Sequence, residues 1–141
     1  MSKFSLNVLK QRVYPYQGSE DPDVLLGGTF GEDVSLTRVG DDILASHLDP
    51  IIGAVDRIGW LGVHIACNDI ATSGIPPRWI LTLVIVPDEN DEELLGSIMA
   101  DIDRAAKTLG VSVIGGHSGY SSGITRPLVS VTAMGTASSR T

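Results

Sequence analysis

One apolar run, Trp79 to Val86, restricts the fold of this chain more than any other segment. It is rich in β-branched residues, and such a run is typical of a strand that is buried on both faces of a sheet. It is far too short to cross a bilayer as a helix. The run therefore predicts a central strand, and the remaining elements are expected to pack around it.

Helices are predicted before and after this strand. The first spans Ala54 to Ser73 and ends at Gly74. Two prolines follow soon after, and proline cannot continue a helix. The second begins after Asn90, with acidic residues in its first turn, and ends at Gly110. Its apolar positions, which recur with the 3.6-residue period of an amphipathic helix, are Leu95, Ile98, Ile102, Ala105 and Leu109.

Further strands complete the pattern. Val34–Val39 and Ile43–Leu48 flank a Gly40-Asp41 turn and predict a hairpin. Val111–Ile114 is expected to be a short buried strand that runs into a glycine-rich loop, and Pro127–Gly135 is expected to be another strand. The order ββ-α-β-α-β-β predicts an α+β domain, with α/β character, in which both main helices pack on one face of a mixed β-sheet.

Composition and length limit the class of protein. The 141 residues are enough for one domain with a hydrophobic core; we expect residues 31–141 to form it and residues 1–30 to be an extended or helical start with a mobile loop. The net charge of −7 and the lack of a basic cluster argue against nucleic acids and membranes as partners. Cys67 is the single cysteine and no signal-peptide run is present, so a cytoplasmic location is expected.

Acidic residues at the predicted hairpin form the first candidate site. Gly31-Glu32-Asp33 precedes the first strand and Asp49 follows the second. A three-residue turn would place Asp33 opposite Asp49, whereas a two-residue turn would place it opposite Leu48. In both registers the acids meet at the open end of the hairpin, where a divalent cation such as Mg²⁺ would relieve their repulsion. The alternative is that both acids are solvated residues at strand ends.

Polar residues on the first helix form the second candidate site. His64, Asn68 and Thr72 are spaced by four residues, with Asp69 beside them, on a helix that is apolar almost all round. Such a helix is expected to be buried on two sides, by its own sheet and by a second layer, domain or subunit. A buried Asn or Asp must be hydrogen-bonded, paired or bound to a metal; the alternative is that Asn68 and Asp69 bond to backbone amides and fix the packing. His64 alone indicates a packing histidine, and Cys67 indicates a core residue.

A glycine-rich stretch, Gly115-Gly116-His117-Ser118-Gly119, forms the third candidate site. Glycines let backbone amides approach a ligand closely, and sheets of the α/β type place ligands at the carboxyl ends of strands. No Gly-Lys-Ser sequence is present, which excludes a P-loop. The alternative is a permissive turn without a ligand.

Taken together, these segments resemble the N-terminal domain of the AIR synthase superfamily, from about Phe30 onward. The superfamily includes AIR synthase, formylglycinamide ribonucleotide amidotransferase, selenophosphate synthetase, thiamine-monophosphate kinase and the hydrogenase-maturation protein HypE, and the chain resembles the HypE-like branch in particular. The pieces that carry the resemblance are Gly31-Glu32-Asp33, Asp49-Pro50, the Asn-Asp-Ile-Ala-x-x-Gly-x-x-Pro stretch from Asn68 to Pro77, and Gly115-Gly116.

The resemblance implies a homodimer in which the sheets of two N-terminal domains combine into a barrel. It also implies that ATP binds near that interface and that Mg²⁺ holds its phosphates. The residues that it implies are, for the metal, Asp33, Asp49 and Asp69 and, for the nucleotide, Asn68, Gly115, Gly116 and His117.

The function that follows from the resemblance is that of an ATP- and Mg²⁺-binding domain in a HypE-like protein. The parent enzyme would activate an oxygen of its substrate by phosphoryl transfer. His117 stands where many members carry an acid, and the second domain of the family is expected to be needed for a complete enzyme. The alternatives are a non-catalytic dimerisation module that keeps the fold, and a domain that binds a small metabolite.

Overall fold

The computed structural model describes residues 3–27, 34–53 and 56–138 of the chain. Within these ranges lie three helices and six strands. No helix in the described part of the chain is long and apolar enough to span a membrane. The elements are α1 (Leu6–Arg12), β1 (Val24–Leu26), β2 (Ser35–Val39), β3 (Asp42–Ile52), α2 (Ile58–Thr72), β4 (Trp79–Val86), α3 (Glu92–Leu109), β5 (Ser112–Tyr120) and β6 (Leu128–Ser138).

The six strands form one mixed sheet in the order β1-β2-β3-β6-β4-β5. All neighbouring pairs are antiparallel except β4 and β5, which α3 connects as parallel strands. A parallel pair requires such a crossover, because a tight turn can only reverse the chain direction. The mixed sheet with helices confirms the predicted α+β class.

The hairpin of β2 and β3 has the shorter of the two turns considered. Val39 pairs directly with Asp42, so the turn consists of Gly40 and Asp41 alone. Gly40 has a φ of 61°, a left-handed conformation that glycine adopts without steric cost. Residues 28–33, which include Asp33, lie outside the described part of the chain.

Helix α2 lies against the middle of the sheet and against α3. It spans Ile58–Thr72, shorter than the predicted range; residues 54 and 55 lie outside the described part. Two of its glycines allow the close packing. A Cβ atom at Gly59 would lie 2.5 Å from the carbonyl oxygen of Ile98 on α3, and one at Gly62 would lie 3.3 Å from Val129 and Val131 of β6.

Helix α3 follows the predicted boundaries closely. Glu92 and Glu93 occupy its first turn, where carboxylates interact favourably with the positive end of the helix dipole. Gly110 ends it in a left-handed conformation with a φ of 71°. Its apolar stripe is turned inward, with Ile98, Ile102, Ala105 and Ala106 buried. The predicted amphipathic helix is therefore confirmed.

The two faces of the sheet differ in their cover. The covered face packs under α2 and α3 and contains the apolar core, with Ala45, Ile80, Val84, Val129, Val131 and Ala133 inaccessible to solvent. The open face is turned away from these helices. It includes Leu48, Ile52, Trp79, Leu81, Leu83, Ile85 and His117.

The apolar run of β4 predicted a strand that is buried on both faces. In the structure, only one of its faces is buried. Ile80 and Val84 are fully buried on the covered face, whereas Leu81 on the open face is 39% exposed. An apolar run shows that both faces of a strand suit an apolar environment, but one chain supplies a layer of helices on only one of them.

The glycine-rich stretch is strand and not loop, which corrects the prediction for residues 115–119. Strand β5 continues through Gly115 and Gly116 to Tyr120 as an exposed edge strand beside β4. Gly116 is required there, because a Cβ atom at this position would overlap the carbonyl oxygen of Thr82. Glycine permits this close approach of two backbones within a sheet.

Candidate functional site

Two of the three acids predicted to bind metal lie side by side. Asp49 is on β3 and Asp69 is near the end of α2, and each contributes one carboxylate oxygen to a compact group of polar atoms. The nineteen residues between them in sequence include the end of β3 and most of α2. Asp33 lies outside the described residues, so its role as a third acid stays a prediction.

His47 is the third member of this group, which we call the metal-site cluster (His47, Asp49 and Asp69). Its Nε2 atom is 2.8 Å from Oδ2 of Asp69 and 3.6 Å from Oδ2 of Asp49. The histidine side chain is 12% exposed, whereas those of Asp49 and Asp69 are 31% and 36% exposed. The imidazole therefore lies at the inner wall of the cluster and the carboxylates at its mouth.

Strand geometry explains why His47 and Asp49 act together. Successive side chains of a strand point to opposite faces, so residues two apart share one face. Both are on the covered face, where their cross-strand partners on β6 are Ala133 and Val131. Helix α2 packs over β3 and β6, which brings Asp69 above the same spot.

The donor atoms of the metal-site cluster suit a divalent cation. One ligand atom from each residue lies within 4.8 Å of the other two. Two carboxylates this close repel each other, and a proton or a cation between them removes the repulsion. Carboxylate oxygens are ligands of Mg²⁺ and Mn²⁺, and an imidazole nitrogen is a common ligand of transition ions. The residues present therefore fit a bound divalent ion.

Asn68, predicted to contact the nucleotide, is exposed on α2 beside Asp69. It belongs to an exposed stripe of the helix with Leu61, Ile65 and Thr72, in which Leu61 is 37% and Ile65 is 38% exposed. The domain or subunit that was expected to cover this stripe is not among the described residues, so burial of α2 on its second side stays a prediction. The sheet and α3 cover one side of α2, and the other side is left to solvent.

Gly115, Gly116 and His117 lie away from the metal-site cluster. Asp49, Val131, Thr82 and Gly116 are consecutive cross-strand partners in one row of the sheet. Three strand spacings of about 4.8 Å separate the ends of that row, so Asp49 and Gly116 are roughly 14 Å apart. His117 is on the open face, opposite to the side that carries the cluster.

His64 and Cys67 on α2 pack against their neighbours, as their sequence context indicated, and neither belongs to the metal-site cluster. The Nδ1 atom of His64 is 2.9 Å from the carbonyl oxygen of Trp60, and the two rings stack with centroids 4.5 Å apart. Cys67 is buried, and burial raises the pKa of its thiol to about 11. Such a thiol is almost entirely protonated near neutral pH, which argues against a role as a nucleophile.

Sequence reasoning missed His47, although a signal was available. Asp49 was placed at the end of the predicted strand, and the residue two positions earlier in a strand shares its face. A histidine at that position therefore had to lie beside Asp49 once the strand was assigned. Asp69, in contrast, could be connected with Asp49 only through the resemblance to a family.

Comparisons with known proteins agree with this architecture. The family model described as AIR synthase related protein, N-terminal domain, matches residues 31–137. The selenide, water dikinase of Carboxydothermus hydrogenoformans is 28% identical over 121 residues, which are 83% of this chain and 35% of that protein.

Solved structures share the fold. AaThiL, complexed with AMPPCP and TMP, superposes with a TM-score of 0.69 at 18% identity, over 79% of this chain and 38% of that chain. The hydrogenase maturation protein HypE, in complex with ATP, superposes with a TM-score of 0.57 at 25% identity, over 65% of this chain and 30% of that chain. The chain thus spans about a third of the length of these relatives.

Proposed function

We propose, since this chain belongs to the family of AIR synthase related proteins, that it is the ATP- and Mg²⁺-binding domain of an enzyme that transfers a phosphoryl group from ATP to its substrate. The observation that supports this most is the proximity of Asp49 on β3 and Asp69 on α2. In phosphoryl transfer the protein mainly positions groups and neutralises charge, so acids that hold a metal ion are the expected equipment.

The described residues divide the work between binding metal and binding nucleotide. Asp49 and Asp69 would hold the cation, together with Asp33, and a bound Mg²⁺ would neutralise the charge on the phosphates. Their side chains are partly exposed, which leaves room for phosphate oxygens and water around the ion. Asn68, which is exposed and next to Asp69 on α2, would donate a hydrogen bond to a phosphate near that ion.

If the glycines of β5 and the cation contact the same ATP molecule, that ATP must extend along the sheet. The roughly 14 Å between Asp49 and Gly116 is more than a single phosphate can bridge, so Gly115 and Gly116 would contact a different part of ATP from the cation. His117 is on the open face, where it would meet a ligand held by a partner subunit.

A second copy of the chain would cover the open face. Leu48, on that face, is 61% exposed, and Ile52, Leu81 and Leu83 lie on the neighbouring part of the same surface. A contiguous apolar surface of this kind marks an interaction site in a soluble domain. Pairing two such faces across a two-fold axis buries the same patch on both subunits, which is the arrangement that a homodimeric barrel requires.

Calorimetric titration with ATP, with and without Mg²⁺, tests the proposal directly. It is done on this chain and on the chain joined to the remainder of its parent protein. We expect binding that depends on the metal, and Asp49→Asn and Asp69→Asn should each weaken it at least about tenfold. Asp103→Asn, which removes an exposed acid paired with Lys107 on α3, is the matched control and should leave binding unchanged. Absence of ATP binding in both proteins would refute the proposal.

The HypE-like branch is a narrower proposal. It rests on the sequence resemblance and on the structural similarity to HypE in complex with ATP. The similarity to a selenide, water dikinase offers the competing assignment. Phosphate release from ATP by the parent protein separates the two, because only the dikinase assignment requires that selenide accelerate the release.

A non-catalytic module is the second candidate, and one contact favours it. The pair of His47 and Asp69, with 2.8 Å between Nε2 and Oδ2, would neutralise one carboxylate without a cation if the imidazole is protonated. The cluster would then be a structural ion pair. Thermal unfolding with and without EDTA distinguishes the candidates, since a structural pair predicts the same midpoint in both and no rise on addition of Mg²⁺.

A further inference from the structure

We propose that His47 donates its Nε2 atom to the cation held by Asp49 and Asp69, so that this site binds a first-row transition ion such as Mn²⁺ in preference to Mg²⁺. The inference deepens the proposed function and rests on it only in assuming that a divalent cation occupies the metal-site cluster. It concerns a residue of β3 that sequence reasoning left out.

The distances fit direct coordination. Ligand atoms that occupy adjacent corners of an octahedron with bonds of about 2.1 Å lie about 3 Å from one another. Nε2 of His47 lies 2.8 Å from one carboxylate oxygen and 3.6 Å from the other, which brackets that value. Small rotations of the side chains therefore suffice to bring three ligand atoms around one ion.

Burial holds the imidazole in place. The His47 side chain is only 12% exposed, and its neighbours on the covered face are Ala45, two residues before it, and Ala133, its cross-strand partner. Both are alanines without any accessible surface, and they leave space for a ring beside the backbone. The ring is thus enclosed next to the carboxylates, and solvent does not compete strongly for its nitrogen.

The chemistry of the donor set determines which ion is preferred. A neutral imidazole with its proton on Nδ1 offers the Nε2 lone pair to a cation, which would lie between Nε2 and the Asp69 carboxylate. Mg²⁺ is a hard ion that binds oxygen and loses its water reluctantly. Mn²⁺ accepts the same carboxylate and phosphate oxygens and binds nitrogen more readily, so one imidazole among oxygen ligands shifts the preference toward it.

A different role for His47 would be to orient Asp69 by a hydrogen bond without touching the ion. Such a positioning residue would also weaken metal binding when replaced. The two roles differ in one spectroscopic property, because only a coordinated imidazole places a ¹⁴N nucleus next to the unpaired electrons of Mn²⁺. The experiment must therefore detect that nucleus.

Electron spin echo envelope modulation of the Mn²⁺-loaded chain, with Mn²⁺ and Mg²⁺ affinities from titration, provides the test. We expect ¹⁴N modulation from a coordinated imidazole in the wild-type chain and none in His47→Asn. His64→Gln and His117→Gln replace the other two histidines and should retain the signal. His47→Asn should weaken Mn²⁺ binding at least about tenfold and Mg²⁺ binding much less.

The outcomes are distinguishable. Mn²⁺ binding without ¹⁴N modulation, or modulation that persists in His47→Asn, would overturn the inference, as would a wild-type preference for Mg²⁺. If His47→Asn does not fold, wild-type chain labelled with ¹⁵N-histidine gives the answer, since the ¹⁴N pattern must then disappear. A chain that shows the imidazole signal but never binds ATP would refute the proposed function and leave this inference standing.

Discussion

The covered and open faces of the sheet come from the same strands but have different surroundings. Ala45 and Leu48 are three residues apart on β3; the first is inaccessible to solvent and the second is largely exposed. Ile80 and Leu81 on β4 show the same contrast between adjacent residues. Both faces are apolar, so composition does not distinguish them. The comparison teaches that the covered face is completed within the chain, whereas the open face is suited to a layer from elsewhere.

The candidate site residues divide along the same boundary. The metal-site cluster is on the covered side under α2, and His117 is on the open side. A side chain on one face cannot reach a ligand bound on the other through a sheet. His117 and the cluster can therefore serve one nucleotide only if that ligand passes around the edge of the sheet or if the two come from different subunits.

The largest expected effect comes from adding volume on the covered face. A Cβ atom at Gly135 of β6 would overlap the carbonyl oxygen of Pro76. Gly135→Val should therefore lower the free energy of unfolding by about 3 kcal/mol or more, measured by urea denaturation. Gly96→Ala on α3 is the control, because nothing lies near its Cβ position and alanine favours helix; it should stabilise by about 0.5–1 kcal/mol. Equal stability of the two variants would contradict this account of the covered face.

The next effect concerns the open face and its partner. Leu48→Asp combined with Leu81→Asp places like charges on the surface that a second copy would bury. We expect self-association, measured by sedimentation velocity, to weaken at least about a hundredfold, because a buried unpaired carboxylate costs several kcal/mol. The stability of the monomer should change by less than about 1 kcal/mol, since both side chains are exposed there. An unchanged dimer would show that another surface mediates association.

The smallest effect concerns the pH dependence of the covered face. Burial raises the pKa of Cys67 to about 11 from an ordinary value of 9.0. The folded state therefore keeps a proton that the unfolded state loses above pH 9, and stability should fall as the pH rises from about 9 to about 11. The loss contributed by this thiol is bounded by about 1.4 kcal/mol for each unit by which its pKa is raised. Urea denaturation across that range measures it, and Cys67→Ala should show a shallower decline than the wild-type chain.

Several elements could be predicted from the sequence because local chemistry determines them. Gly110 ends α3 where its left-handed conformation stops the helix, and the Gly40-Asp41 turn forms the hairpin that the flanking apolar segments predicted. Asp49 and Asp69, singled out through the family resemblance, lie near one another, and their role as metal ligands stays a prediction.

Other features depend on contacts that no local pattern contains. Gly115 and Gly116 resembled a loop because glycine is common in loops, but here the absence of a side chain allows β5 to approach the backbone of Thr82. The burial of β4 within the chain was overestimated, since an apolar pattern does not reveal which chain covers the second face. For the same reason, the cover of the second side of α2 stays a prediction. The contact between His47 and Asp69 could be recognised only from the packing of α2 on β3.

The position of β6 in the sheet has a consequence for how the chain acquires this structure. β6 lies between β3 and β4, yet it follows both in sequence; Ile52 pairs with Leu128 and Ile85 pairs with the same residue from the other side. A nascent chain released from the ribosome as far as β5 therefore exposes two unpaired strand edges at the centre of the future sheet. Closing that gap requires contacts between segments far apart in sequence, which slows folding and leaves the intermediate open to aggregation.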